Sequence, residues 1–193
     1  GYTLSFHGES PWIGEFGRSF LAGIGLDTVS PFAKTIPELL FAAYQMTFAV
    51  ITCALVAGAV ADRLKFSAFL LFSVFWLFLV YVPSAHWVWG GGFLSTMGVI
   101  DFAGGTVVHI ISGVSGLVIA LMIGKRRGYG SEVMLPHHLP MTVLGAGLLW
   151  FGWFGFNAGS ALGANEIASN AFVVTHVSAA AATVSWVLAE WLM

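Results

Sequence analysis

Five stretches of this chain, residues 39–61, 66–100, 102–124, 133–165 and 167–189, contain no Asp, Glu, Lys or Arg. A helix needs ~20 mostly apolar residues to cross ~30 Å of hydrocarbon, so runs of this length, repeated five times, predict an all-α polytopic bundle in a bilayer. Composition agrees: 58% of residues are hydrophobic and 8% charged, whereas soluble domains carry about a quarter charged residues. The formal net charge is −2 and the basic residues are local, which supports no nucleic-acid role. Cys53 is the single cysteine and lies inside the first apolar run, so the chain can form neither an internal disulfide nor a cysteine metal cluster.

Residues 1–37 mix Pro11, Pro31 and Pro37 with glycines and charges, a composition that predicts a loop segment outside the bilayer. Five helices are predicted after it, at about 38–61, 66–83, 101–123, 139–158 and 165–191. Pro37 and Glu38 suit a first turn. Pro83 is read as a stop, leaving 84–99 as a Gly/Trp-rich re-entrant or surface stretch. Asp101 is a plausible N-cap, and Gly124 with Lys125, Arg126 and Arg127 reads as a helix end. The chain begins at Gly1 and ends at Met193 just past a helix, which suggests a piece of a longer protein.

Five of the seven Lys and Arg lie in two short loops, after the first and third helices, while the loops at 84–100 and 159–165 have none. Basic loops face the cytoplasm. Residues 1–37, the Trp/Gly stretch and the 157–165 turn are therefore expected outside, with Met193 inside.

Within these apolar runs His109 stands out. An ionisable side chain at membrane depth is costly unless it is paired or lines a polar path; the alternative is a hydrogen bond to a neighbouring helix. Asp101 lies eight residues earlier, roughly 12 Å along a helix, which argues against a direct pair. His176 is open to the same two readings. Small residues crowd the third, fourth and fifth helices, which permits close packing and, at some positions, a narrow passage. Trp89, Phe48 and Phe156 fall at outer levels, with Ser160 nearby in the pattern. They are either an interface belt or an aromatic pocket able to hold a cation over ring faces. No group of residues suggests a metal, a cofactor or an enzymatic centre.

The run Asp101-Phe-Ala-Gly-Gly-Thr-Val-Val-His109 followed by Gly124-Lys-Arg resembles the signature of the ammonium transporter (Amt) family. Ala85-His-Trp-Val-Trp-Gly-Gly-Gly92, Gly152-Trp-Phe-Gly-Phe-Asn-Ala-Gly-Ser160, Leu139-Pro-Met, Ala164-Asn-Glu-Ile-Ala168 and Ala61-Asp-Arg-Leu-Lys-Phe-Ser-Ala68 resemble it too, in order and spacing. The resemblance covers about 38–193 and implies five helices, the third to seventh, of an eleven-helix fold. It further implies a homotrimer with one pore per subunit. It places Trp89 and Ser160 at an outer recruitment site and Phe48 and Phe156 in a phenyl gate. Asp101 would be the acid near the outer site, Trp153 a pore-lining ring, and His109 the first of two pore histidines, the second on a later helix. His176 departs from the family's usual asparagine or apolar residue, and Ile111 from its usual choice.

The resemblance thus implies passage of ammonium or ammonia, with methylammonium as analogue, across a plasma or bacterial inner membrane. Expected partners are membrane lipid and a cytoplasmic nitrogen-regulatory protein. The alternative is an ammonium sensor, in which the same module drives a cytoplasmic signalling domain.

Overall fold

The computed structural model describes residues 1–193, which form two compact units, Gly1–Val133 and Met134–Met193. The first unit opens with a short helix, α1 (Tyr2–Phe6), a tight 3₁₀ turn at Phe16–Leu21, and a two-stranded antiparallel hairpin, β1 (Val29–Ser30) and β2 (Ala33–Pro37). The segment read as a loop is therefore built. It is pinned by a buried carboxylate: Glu38, 5% exposed, accepts the Tyr2 hydroxyl at 3.0 Å and faces Arg18 at 3.8 Å. Burial, and then the Glu38 charge, push the Tyr2 phenol above its ordinary range.

Helix α2 (Glu38–Ala57) starts directly after Pro37, with Glu38 in its first turn where the positive end of the helix dipole favours an acid. The sequence reading carried this helix to 61, but the backbone turns after Gly58, and Arg63 donates to the carbonyls of Ala59 and Gly124. Asp62 pairs with Arg126 at 3.0 Å, so charged side chains tie this turn to the end of the third span.

The expected break at Pro83 does not occur. Helix α3 (Phe66–Trp76) runs through a π turn at Leu77–Tyr81 into α4 (Val82–Trp89), and a further turn, α5 (Phe93–Thr96), follows. Proline lacks an N–H, and its ring collides with the carbonyl four residues back in a regular helix. Widening the preceding turn by one residue relieves that conflict while the axis continues. The stretch 84–89, expected to be re-entrant or on the surface, is thus helical and largely buried, with Ala85 and His86 both 0% exposed.

The third span likewise starts as a π turn, Gly105–Ile110, and continues as α6 (Ile111–Ile123), so its regular part begins later than the predicted residue 101. Of its small residues, Ser115 and Gly116 pack closely, whereas a Cβ on Gly105 or Gly113 would meet nothing within 4 Å. A Cβ on Gly116 would lie 3.3 Å from that of Ala59 in the turn after α2, and Ser115 accepts the Trp76 indole N–H at 2.9 Å.

The second unit pairs α7 (Leu139–Ala158) with α8 (Glu166–Leu192). His138 caps α7 by accepting the Met141 N–H at 3.1 Å, and Asn165 caps α8 by accepting that of Ala168 at 2.9 Å. Phe154 stacks on Phe172 at 4.2 Å, and Asn157 donates to Thr175 at 2.9 Å.

Five spans are long and apolar enough to cross a membrane, and at most 28% of any of them is buried within this chain. Exposed leucines and phenylalanines such as Leu70, Leu71, Phe78 and Leu121 cover their faces. Apolar surface of this extent requires lipid or further protein against it.

Candidate functional site

The residues singled out by sequence divide between the units. Phe48, Trp89, Asp101 and His109 belong to the first; Trp153, Phe156 and Ser160 belong to the second.

In the first unit they form a connected set. Phe48, 1% exposed, sits on α2, and its ring meets that of Trp89 edge to face at 5.4 Å. Tyr44, one turn earlier, packs on Phe48 at 5.0 Å. This aromatic corner keeps Trp89 partly exposed and fixes its plane; edge-to-face pairs of this kind are each worth roughly 1 kcal/mol beyond area burial. The Trp89 indole N–H donates to the Asp101 carbonyl at 2.8 Å, which fixes the ring in the remaining direction.

Asp101 then does a second job with its carboxylate. One oxygen accepts the N–H groups of Gly104 and Gly105 at 2.6 and 2.9 Å; the other accepts those of Thr106 and Val107 at 2.8 and 2.9 Å. Four backbone donors are left over at any helix start, and here one side chain takes all of them. The close wrap needs Gly104 at φ 97°, a left-handed conformation that a Cβ disfavours. The side chain read from sequence as an N-cap is indeed a helix cap, which leaves little of its carboxylate for a ligand.

His109 sits in the π turn that this cap initiates. Its N–H donates to the Gly104 carbonyl, five residues back, at 2.9 Å. Val107 and Val108, both 0% exposed, hold the turn from behind, and the His109 side chain is on the exposed side. π turns recur where a helix must aim a functional side chain.

In the second unit Phe156 and Ser160 are half-buried at the end of α7, and the Ser160 hydroxyl donates to the Phe156 carbonyl at 2.8 Å. Trp153 is 41% exposed. His176 stacks on Trp150 at 5.3 Å and on Phe154 at 6.0 Å, so in this unit it belongs to an aromatic stack.

Two features went unread in the sequence. His86 is fully buried on α4, although it is the one histidine of the 66–100 run and the argument applied to His109 applies equally to it. Tyr81 is buried with a hydroxyl that has no hydrogen-bond partner; nothing in the local sequence distinguishes it from core.

Five long apolar spans, with an aromatic corner and a capped, histidine-bearing π turn, define a polytopic helical membrane protein. The chain belongs to the Ammonium Transporter Family, whose profile matches residues 1–193. It is 52% identical over 194 residues to an ammonium transporter of Bacillus subtilis, covering 100% of this chain and 47% of that protein. It is 48% identical to Ammonium transporter Amt1 of Archaeoglobus fulgidus, covering 100% and 47%. The crystal structure of Candida albicans Mep2 superposes with a TM-score of 0.90 at 37% identity, covering 99% of this chain and 43% of that one. The chain thus spans about half the length of the relatives it matches. These relatives are transporters, not enzymes.

Proposed function

We propose that the protein containing this chain conducts ammonium or ammonia across the cytoplasmic membrane, with residues 1–37 outside and the Asp62–Lys65 and Lys125–Arg127 loops inside. The observation that carries this reading is the unbroken set of contacts Phe48–Trp89–Asp101–Gly104, which leads from an outer aromatic face to the turn that holds His109.

Ammonium and potassium match in charge and nearly in size, so selection must use what potassium lacks, N–H donors and a removable proton. By the family's pattern, Trp89 offers the cation a ring face and Ser160 an N–H acceptor, in place of part of its hydration shell. By the same pattern Phe48 and Phe156 belong to an apolar passage, which penalises any ion unable to shed its charge by several kcal/mol on lenient scales. His109 serves as a hydrogen-bonding and proton-relay group, since imidazole donates at one nitrogen and accepts at the other. Trp153 lines the path, and Asp101 acts through Trp89 and the helix start. By the family's pattern a second histidine on a later helix completes the route. The working assembly is a homotrimer in lipid, open to a cytoplasmic nitrogen-regulatory protein.

The test is methylammonium uptake by the full-length protein in liposomes. Trp89→Leu is expected to raise the half-saturating concentration, and His109→Ala to remove selective flux. Uptake indifferent to both substitutions overturns the assignment; ligand binding without flux favours a sensor.

A further inference from the structure

The ends of α2 and α6 enclose a cavity of about 480 Å³ that none of the candidate site residues lines. Helix α2 stops at Ala57 and the chain turns through 58–65; α6 stops at Ile123, and Gly124, at φ 75°, takes the chain out of the helix. Arg63 fastens the two ends together by donating to the carbonyls of Ala59 and Gly124. Asp62, Arg63, Ile123, Lys125, Arg126 and Arg127 line the space between them.

Four of these side chains are cationic and one is a carboxylate, which leaves three positive charges in excess. Asp62 is committed to Arg126 at 3.0 Å and approaches Arg63 at 3.8 Å. Lys125 is engaged only with the Tyr129 ring, 5.2 Å from its centroid, and Arg127 makes no hydrogen bond or ion pair. Glu132, the other carboxylate of this loop, packs against Gly128 and is not part of the lining. Like charges gathered in one cavity repel unless an anion lies among them, and the guanidinium fork with an ammonium beside it matches the oxygens of a phosphate group.

The position of the cavity selects the source of that phosphate. It lies at the ends of two apolar spans, where the head groups of a bilayer lie. Ile123 gives it an apolar wall, and directly before it on α6 Leu121 and Met122 are 72% and 81% exposed, so acyl chains can follow the helix from the cavity into hydrocarbon. A water takes up about 30 Å³ of liquid, so the space is far larger than an inorganic phosphate needs and suits a complete head group. Basic pockets between membrane helices bind phosphate-bearing lipid head groups in this way. We propose that this cavity is a binding site for an anionic phospholipid, its phosphate held by Lys125 and Arg127 with Arg126 shared between it and Asp62. The lipid cancels the repulsion within the 125–127 run and so stiffens the join between the first and third spans. Binding requires only that the spans lie in a bilayer; that the lipid belongs to the cytoplasmic leaflet rests on the orientation proposed above.

The test uses the full-length protein in phosphatidylcholine nanodiscs with increasing phosphatidylglycerol, a trace of it carrying a photoactivatable head group, and maps the crosslinked peptides. Labelling should concentrate in residues 59–66 and 121–130. In Lys125→Gln/Arg127→Gln, the phosphatidylglycerol fraction giving half-maximal labelling should rise roughly tenfold, because two near-surface cations are lost. Both side chains are exposed and tie no elements together, so the variant should assemble. Phosphatidylglycerol should also raise the melting temperature of the unsubstituted protein more than that of the variant. Labelling confined to other regions, labelling indifferent to the substitutions, or equal labelling from a phosphatidylcholine probe overturns the site. Displacement of the label by inorganic phosphate at constant ionic strength makes it a free-anion site and overturns the lipid. Thiol labelling of Ser131→Cys from outside overturns the leaflet and the orientation, and leaves the lipid site standing.

Discussion

At the scale of single residues, Asp101 and Tyr2 show how one side chain settles several backbone or charge problems together. Asp101→Ala strands four N–H groups at the start of the third span, and loss of such a cap costs ~1–2 kcal/mol, or more when the acceptor is charged. The expected result is a lower melting temperature in detergent together with weaker methylammonium recruitment, because the π turn and the Trp89 anchor loosen together. Asp101→Asn, which keeps an acceptor oxygen, should fall between the two. Tyr2 yields a pH prediction. Its phenol is raised above the usual value by burial and by Glu38. The unfolded state therefore gives up this proton first, so the stabilisation is complete below about pH 10 and declines as pH rises beyond it. Tyr2→Phe should remove that alkaline decline, measured as melting temperature against pH, while losing the hydrogen bond to a buried carboxylate at all lower pH values.

At the scale of elements, the two π turns set the direction of the candidate site. Each places one additional residue in a helical turn near a proposed site residue: Leu77–Tyr81 precedes Trp89, and Gly105–Ile110 contains His109. Deleting one residue from Leu77–Tyr81 would restore a regular helix and rotate everything beyond it by ~100°. Trp89 would then leave Phe48 and the Asp101 carbonyl, and uptake should be lost although the span remains long enough to insert. A second test concerns the close approach at the end of α4. Gly90→Ala places a methyl group on the Ser5 carbonyl and should destabilise by ~1–3 kcal/mol or free the outer segment, read as a lower melting temperature and faster proteolysis within residues 1–15.

For the whole molecule, the physical constraint is the bilayer. Five apolar spans expose most of their surface within this chain, and the basic residues cluster at Arg63–Lys65 and Lys125–Arg127. With these loops held in the cytoplasm, Ser131→Cys should react with an impermeant thiol reagent only from inside, and Asp27→Cys only from outside. Both positions are exposed, and the single native thiol, Cys53, is half-buried on α2. The reverse labelling pattern would invert the proposed direction of the path.

The sequence by itself determined the class, because ~20 uncharged residues can satisfy their backbone in hydrocarbon only as a helix, and that rule needs no tertiary information. It also determined the helix starts at Glu38 and Leu139, where proline and an acid or a capping side chain act locally. Asp101 as a cap was legible for the same reason: its partners lie within six residues. What only the tertiary structure decided depends on contacts distant in sequence. Pro83 fails to end its helix because a widened turn absorbs it within a packed span. The 1–37 segment is ordered because Glu38, Arg18 and Tyr2 meet in space. Trp89 is aimed by Phe48, 41 positions earlier, and His86 is buried against carbonyls 76 and 81 positions away. Local propensity specifies where the chain can be helical; the direction a side chain faces is set by the elements packed around it.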